Sequence, residues 1–166
     1  DSAYRCITAA LNLLQALDIN TALQYANKME PNCPEPLLST IGSIYAAKGN
    51  AEFAPFFEKN WDKVKGFGAF DFFGQYVQLV RIMPEMQMTL AIDNLKKIAT
   101  DDQSPLKRFA VTNSLYRWKK EITKTADEES ETDTNNSLLV DKLNQIIAHI
   151  ISKESNNQLL NYYRNF

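Results

Sequence analysis

The stretch Asp101–Ile122, DDQSPLKRFAVTNSLYRWKKEI, decides how the chain is read. Ser104 is a helix-capping residue, and Pro105 fits the first helical position, where a missing N–H costs nothing. Behind them Val111, Leu115, Trp118 and Ile122 recur at three- and four-residue steps, so one helical face is apolar. Arg108, Lys119 and Lys120 fall largely off that stripe. The fold then depends on whether the flanking chain supplies helices to pack against it.

Upstream it does. Tyr4, Ile7, Leu11, Leu14 and Leu17 make an apolar stripe that predicts a first helix over about 2–17. Asp18 or Asn20 can cap a second, carrying Ala22, Leu23, Ala26 and Met29 and ending before Pro31. Pro34 and Pro36 mark a third start, with Leu37, Ile41, Ile44 and Tyr45 on its face and Gly49 as a left-handed stop. Asn50 caps a fourth, which carries Phe53, Phe56, Phe57 and Trp61. After the Gly66–Gly68 joint comes an aromatic helix over 69–82, with Phe70, Phe73, Tyr76, Val77 and Val80 on one side. Pro84 opens a sixth, with Met88, Ala91, Ile92, Leu95 and Ile98 as its core face.

Downstream, Asp127–Asp133 holds five acids in seven positions and no apolar residue. Such a segment cannot bury anything, so 126–136 is expected to be an acidic, flexible loop. From Ser137 a last pair element carries Leu139, Leu143, Ile146, Ile147 and Ile150, and Asn156-Asn157 interrupts it before Leu159–Tyr163.

The turns at Ala16–Leu23 and Ala47–Ala54 are about 32 residues apart, and the turn at Ile82–Glu85 follows after about 34 more. That period, with two helices per unit, predicts an all-α, right-handed α-α superhelix of about eight helices in four antiparallel pairs. The acid, loop proline, Arg and small or apolar residues at Asp102, Pro105, Arg108, Val111, Ser114 and Leu115 resemble the second helix of a HEAT-type repeat. In that family the acid and the Arg six residues later form a ladder between neighbouring repeats; here they would be Asp102 and Arg108.

At 166 residues, one helical-repeat domain over 1–166 is expected. The chain opens on Asp1 already inside a helical pattern, so a C-terminal fragment of a larger protein is expected. No run approaches the roughly 18 apolar residues of a membrane span, and no signal peptide is visible, so a soluble chain is expected. The net charge of −2 argues against a nucleic-acid partner, which would want a basic face. Cys6 and Cys33 form no C-x-x-C; Cys6 is expected in the core and Cys33 as a loop thiol.

Chemistry is sparse. His149 is the single histidine, so two-His metal sites and Ser-His-Asp systems lack partners here. It is expected to be structural. Gly66-Phe67-Gly68 lacks the third glycine and the strand–helix setting of a phosphate loop. Neither catalytic nor metal-binding residues are assigned. Phe67, Phe70, Phe72, Phe73 and Tyr76 cannot all fit one narrow stripe. Phe67, Phe70 and Phe72 are therefore the candidate interdomain surface, against the simpler reading that stacked helices bury wider apolar faces.

The segment from Pro36 through Phe73, PEPLLSTIGSIYAAKGNAEFAPFFEKNWDKVKGFGAFDFF, followed by SPLKRFAVTNSL, resembles the C-terminal HEAT-like domain of bacterial zinc aminopeptidases of the aminopeptidase N type, members of the gluzincin family. The likeness covers most of residues 1–125. It implies a non-catalytic domain that closes over a zinc-bearing catalytic domain of the same polypeptide and shapes the chamber admitting peptide substrate. The His-Glu-x-x-His helix of that family is not in these residues, so zinc is expected only in the parent's catalytic domain. The alternative is a HEAT-like scaffold that binds a protein partner.

Overall fold

A computed structural model describes residues 2–128 and 134–166. Every regular element among them is helical. The α-helices are α1 (Ser2–Leu17), α2 (Ile19–Met29), α3 (Leu38–Lys48), α4 (Ala54–Asn60), α5 (Gly68–Val80), α6 (Glu85–Asp101), α7 (Pro105–Glu128), α8 (Thr134–Lys153) and α9 (Asn157–Tyr163). Short 3-10 turns at Glu30–Asn32, Glu35–Leu37 and Ala51–Phe53 fill the bends. The described chain divides into two compact units, Asp1–Thr89 and Leu90–Phe166.

The boundaries follow the capping residues. Asp18 Oδ1 accepts the Asn20 and Thr21 amides and starts α2. Asn50 Oδ1 accepts the Glu52 amide, and α3 ends at Gly49 with φ +64°. The Lys107 amide donates to Ser104 Oγ at 3.3 Å, which seats α7 on Pro105. Asn156 Oδ1 accepts the Gln158 and Leu159 amides. That cap makes the last segment a separate helix at the interruption expected there. The described residues carry nine α-helices, in keeping with the expected all-α fold of about eight.

In the first unit α1, α3 and α5 lie side by side, while α2 and α4 pack against them as return segments. Thr8 meets Thr40 and Gln15 meets Ser43, pairs that advance together along α1 and α3 and make them parallel neighbours. Ser39 Oγ donates to the Gly68 carbonyl at 3.3 Å where α3 and α5 begin. The core is aromatic. Phe57 lies 4.9 Å from Phe72 and 5.6 Å from Tyr76 between ring centroids, and Tyr45 stacks on Phe53 at 4.4 Å. Burying such rings dominates core energetics, at about 1.5–3 kcal/mol for a Phe-sized side chain.

The first helix keeps most of its predicted stripe, with Tyr4, Ile7 and Leu14 half-buried around Leu11, and departs from it at Leu17. Leu11 is its single buried residue, and Leu17 is 75% exposed. The cysteines also exchange roles: Cys6 is exposed on α1 and Cys33 is buried in the bend after α2. Cys33 is turned inward between two prolines-bearing turns, with Sγ 3.6 Å from the Pro34 carbonyl.

The second unit is built on α7, which packs along α8. Ala110, Val111, Leu115 and Trp118 of α7 are buried, as are Leu143, Ile146, Ile147 and Ile150 of α8. Ile122 at the end of the predicted stripe is half-buried. The loop expected over 126–136 is helical at both ends, since α7 runs to Glu128 and α8 starts at Thr134. The acidic residues 129–133 lie outside the described residues.

Candidate interaction surface

The exposed aromatic edge of the first unit is set by one turn. Gly66 has φ +58°, a conformation that a side chain would strain, and nothing lies within 4 Å of where a Cβ would stand. The chain reverses there and throws Phe67 outward, 79% exposed, immediately before α5 begins. Its ring stacks on half-buried Phe70 at 6.3 Å and 25°. Phe72 does not join them. It sits two residues along the helix on the opposite side, fully buried against Phe56, Phe57 and Phe73. Of the three rings expected at the surface, Phe67 faces solvent, Phe70 straddles the boundary and Phe72 is core.

Two phenols tie helices together from inside the same unit. The Tyr45 hydroxyl donates to Glu30 Oε2 at 2.8 Å, and the Tyr76 hydroxyl donates to Glu58 Oε1 at 2.8 Å. Burial first, then these carboxylate acceptors, push both phenols above their ordinary range. Burial also pushes the Cys33 thiol up to about 11, so it stays protonated near neutral pH and is a poor nucleophile. These groups are structural.

The predicted ladder is differently wired. Arg108 Nη1 donates to the Asp102 backbone carbonyl at 2.8 Å, not to its carboxylate. The Asp102 carboxylate instead accepts the Ser104 amide at 2.8 Å and pairs with Lys107 at 3.2 Å. The reason is local: residues 102–107 close a tight helix start, and the nearest donors occupy the acid. Arg108 turns to Glu154, with Nε and Nη2 bonding its two carboxylate oxygens at 2.9 and 2.8 Å. The Glu154 side chain is 1% exposed, and its Oε1 also accepts the Ser155 and Asn156 amides. Hydrogen bonding from Arg108 holds the Glu154 carboxyl below its ordinary range, and the same bond raises Arg108. Glu154 was missed because it stands 46 residues away in a polar stretch with no periodicity of its own.

Beyond this pair the chain's end closes on α7. Tyr116 and Phe166 stack at 4.1 Å with their planes 1° apart, and Lys119 Nζ donates to the Phe166 carbonyl at 3.2 Å. Lys119 and Lys120 place their ammonium groups 4.8 and 5.6 Å from the Tyr116 centroid. His149 is exposed on α8, beside buried Ile150. Among the described residues no three His, Cys, Asp or Glu side chains converge as metal ligands, and no helix is long and apolar enough to cross a membrane. Comparison with family models, curated proteins and solved structures returns no match.

Proposed function

We propose that this chain is a non-catalytic helical-repeat domain that acts by packing against a neighbouring protein body. The observation that carries the reading is Phe67. A ring held 79% exposed by a glycine turn, with Phe70 stacked beside it, is apolar area that the unit's own core does not use. The parallel row of α1, α3 and α5, with α2 and α4 returning between them, supports the finer reading of a HEAT-like superhelix. The neighbouring body, in this proposal, is the catalytic domain of a zinc aminopeptidase of the aminopeptidase N type. That half rests on the resemblance of Pro36–Phe73 and of SPLKRFAVTNSL, and it puts zinc and peptide chemistry outside these residues.

Metal analysis and an aminoacyl-anilide assay on the complete gene product test it. The proposal expects stoichiometric zinc, hydrolysis that a chelator abolishes, and neither property in the 166-residue chain alone. A complete product that lacks zinc and leaves the reporter intact would overturn the peptidase assignment and favour a scaffold for another protein.

A further inference from the structure

Four cations stand close together on α7: Arg117, Lys119, Lys120 and Lys124, with Glu121 the one acid among them. The whole chain carries a net charge of −2, so this stretch is a local excess of positive charge. Lys119, Lys120 and Lys124 line one open cavity of about 570 Å³, together with Tyr116, Phe166 and Glu121. The Thr123 hydroxyl there is spent on the Lys119 carbonyl at 3.0 Å. The floor is tied down: Tyr116 stacks flat on Phe166, and its hydroxyl donates to the Asn165 carbonyl at 3.0 Å. Lys119 Nζ is anchored to the Phe166 carbonyl, 4.8 Å from the Tyr116 centroid, and Lys120 Nζ lies 5.6 Å from the same ring. Burial first, and then the Lys120 charge, hold the Lys119 ammonium below its ordinary range. Two like charges are crowded at one ring, and an anion beside them relieves that crowding. Lys124 follows Lys120 by four residues, on the same helical side one turn on.

We infer that this cavity binds a small, multiply charged phosphate, a di- or triphosphate group that is either free or carried by a nucleoside. The donor set argues for the class. Lysine is a compact point charge without the planar fork by which arginine selects carboxylates, so three lysines favour charge density over shape. Ammonium groups spread over successive turns match several linked phosphates better than one. The extent argues for a small ligand: from Arg117 to Lys124 the helix rises only about 10 Å, too short to track a nucleic-acid backbone. The inference stands apart from the Phe67 reading, since it rests on α7 and residues 165–166 alone.

Calorimetric titration of the 166-residue chain with tripolyphosphate, ATP and citrate at low salt tests it. Tripolyphosphate is expected to bind once per chain, about ten-fold or more tighter than citrate, whose carboxylates lysine does not select. ATP no tighter than tripolyphosphate marks phosphate alone as the ligand, and tighter ATP marks a nucleoside-borne group. Lys120→Gln/Lys124→Gln changes two exposed side chains and should weaken tripolyphosphate about ten-fold or more. Lys59→Gln/Lys65→Gln removes the same charge from exposed positions outside the cavity and should weaken it less than about two-fold. Lys119 is left in place because it anchors Phe166. The absence of saturable binding would overturn the inference. So would citrate binding as tightly as tripolyphosphate, or equal losses in the two variants.

Discussion

The two units hold their helices with the same acid but opposite partners. In Asp1–Thr89 the glutamates stay at the rim: Glu58 is exposed and Glu30 half-buried, and buried phenols reach out to them. In Leu90–Phe166 the acid itself is buried, and Arg108 comes to it with two charged hydrogen bonds. A phenol bonded to a hydrated carboxylate loses little if the bond goes, because water can replace it. The buried Glu154 carboxylate, once it loses its guanidinium, keeps two backbone amides but no countercharge and little water. The contrast predicts that the two units fail under different insults.

The largest effect belongs to Arg108→Ala. Leaving Glu154 charged and enclosed should cost about 3–5 kcal/mol, as for other broken buried pairs. Urea unfolding followed by Trp118, buried in α7, reports it, with Trp61→Phe removing the other indole. A loss under about 1 kcal/mol would place the pair among ordinary surface salt bridges and erase the contrast.

The same pair sets the acid response. Because the folded Glu154 carboxyl lies below its unfolded value of about 4.3, its contribution is present above that pH and is lost as pH falls through the folded value. The phenols act at the other end. Raised above about 10, Tyr45 and Tyr76 contribute fully below that pH, and their contribution is lost as pH rises toward their folded values. Glu154→Gln should therefore flatten the acid limb of stability and leave the alkaline limb unchanged. Phenolate absorbance should show three tyrosines, Tyr45, Tyr76 and Tyr163, all raised by burial, lagging behind the exposed ones. An acid limb unmoved by Glu154→Gln would contradict this assignment.

A smaller effect is expected for Tyr76→Phe, about 0.5–1.5 kcal/mol, since Glu58 rehydrates once the hydroxyl is gone. Trp61, whose ring lies 6.3 Å from Tyr76, is the local probe. A cost matching that of Arg108→Ala would mean that rim and buried acids are equivalent here.

How much of this was legible depends on the range of each interaction. Asp18, Asn50, Gly49 and the Ser104–Pro105 start act within a few residues, and the helices begin and end at them. Ile41, Phe57 and Tyr76 follow the three- and four-residue periods and are buried. The Arg108 partner was not legible, because nothing local links it to Glu154. Within the aromatic cluster, composition could not sort Phe67 from Phe72. The sorting comes from the positive φ at Gly66, which turns one ring out before the helix carries the other in. The division near residue 89 falls within a continuous helix, with no Pro or Gly there to announce it.

In the proposed function, Phe67 and Phe70 form an aromatic edge that the isolated chain does not need and that a neighbouring body would cover. Phe67→Ser measures this directly when thermal unfolding is followed both in the 166-residue chain and in the complete gene product. In the chain alone stability should stay within about 0.5 kcal/mol of the parent, as at other exposed sites. In the complete product the same change should lower the unfolding temperature and shift turnover of an aminoacyl reporter. Unchanged behaviour in the complete product, or a large loss in the chain alone, would contradict it.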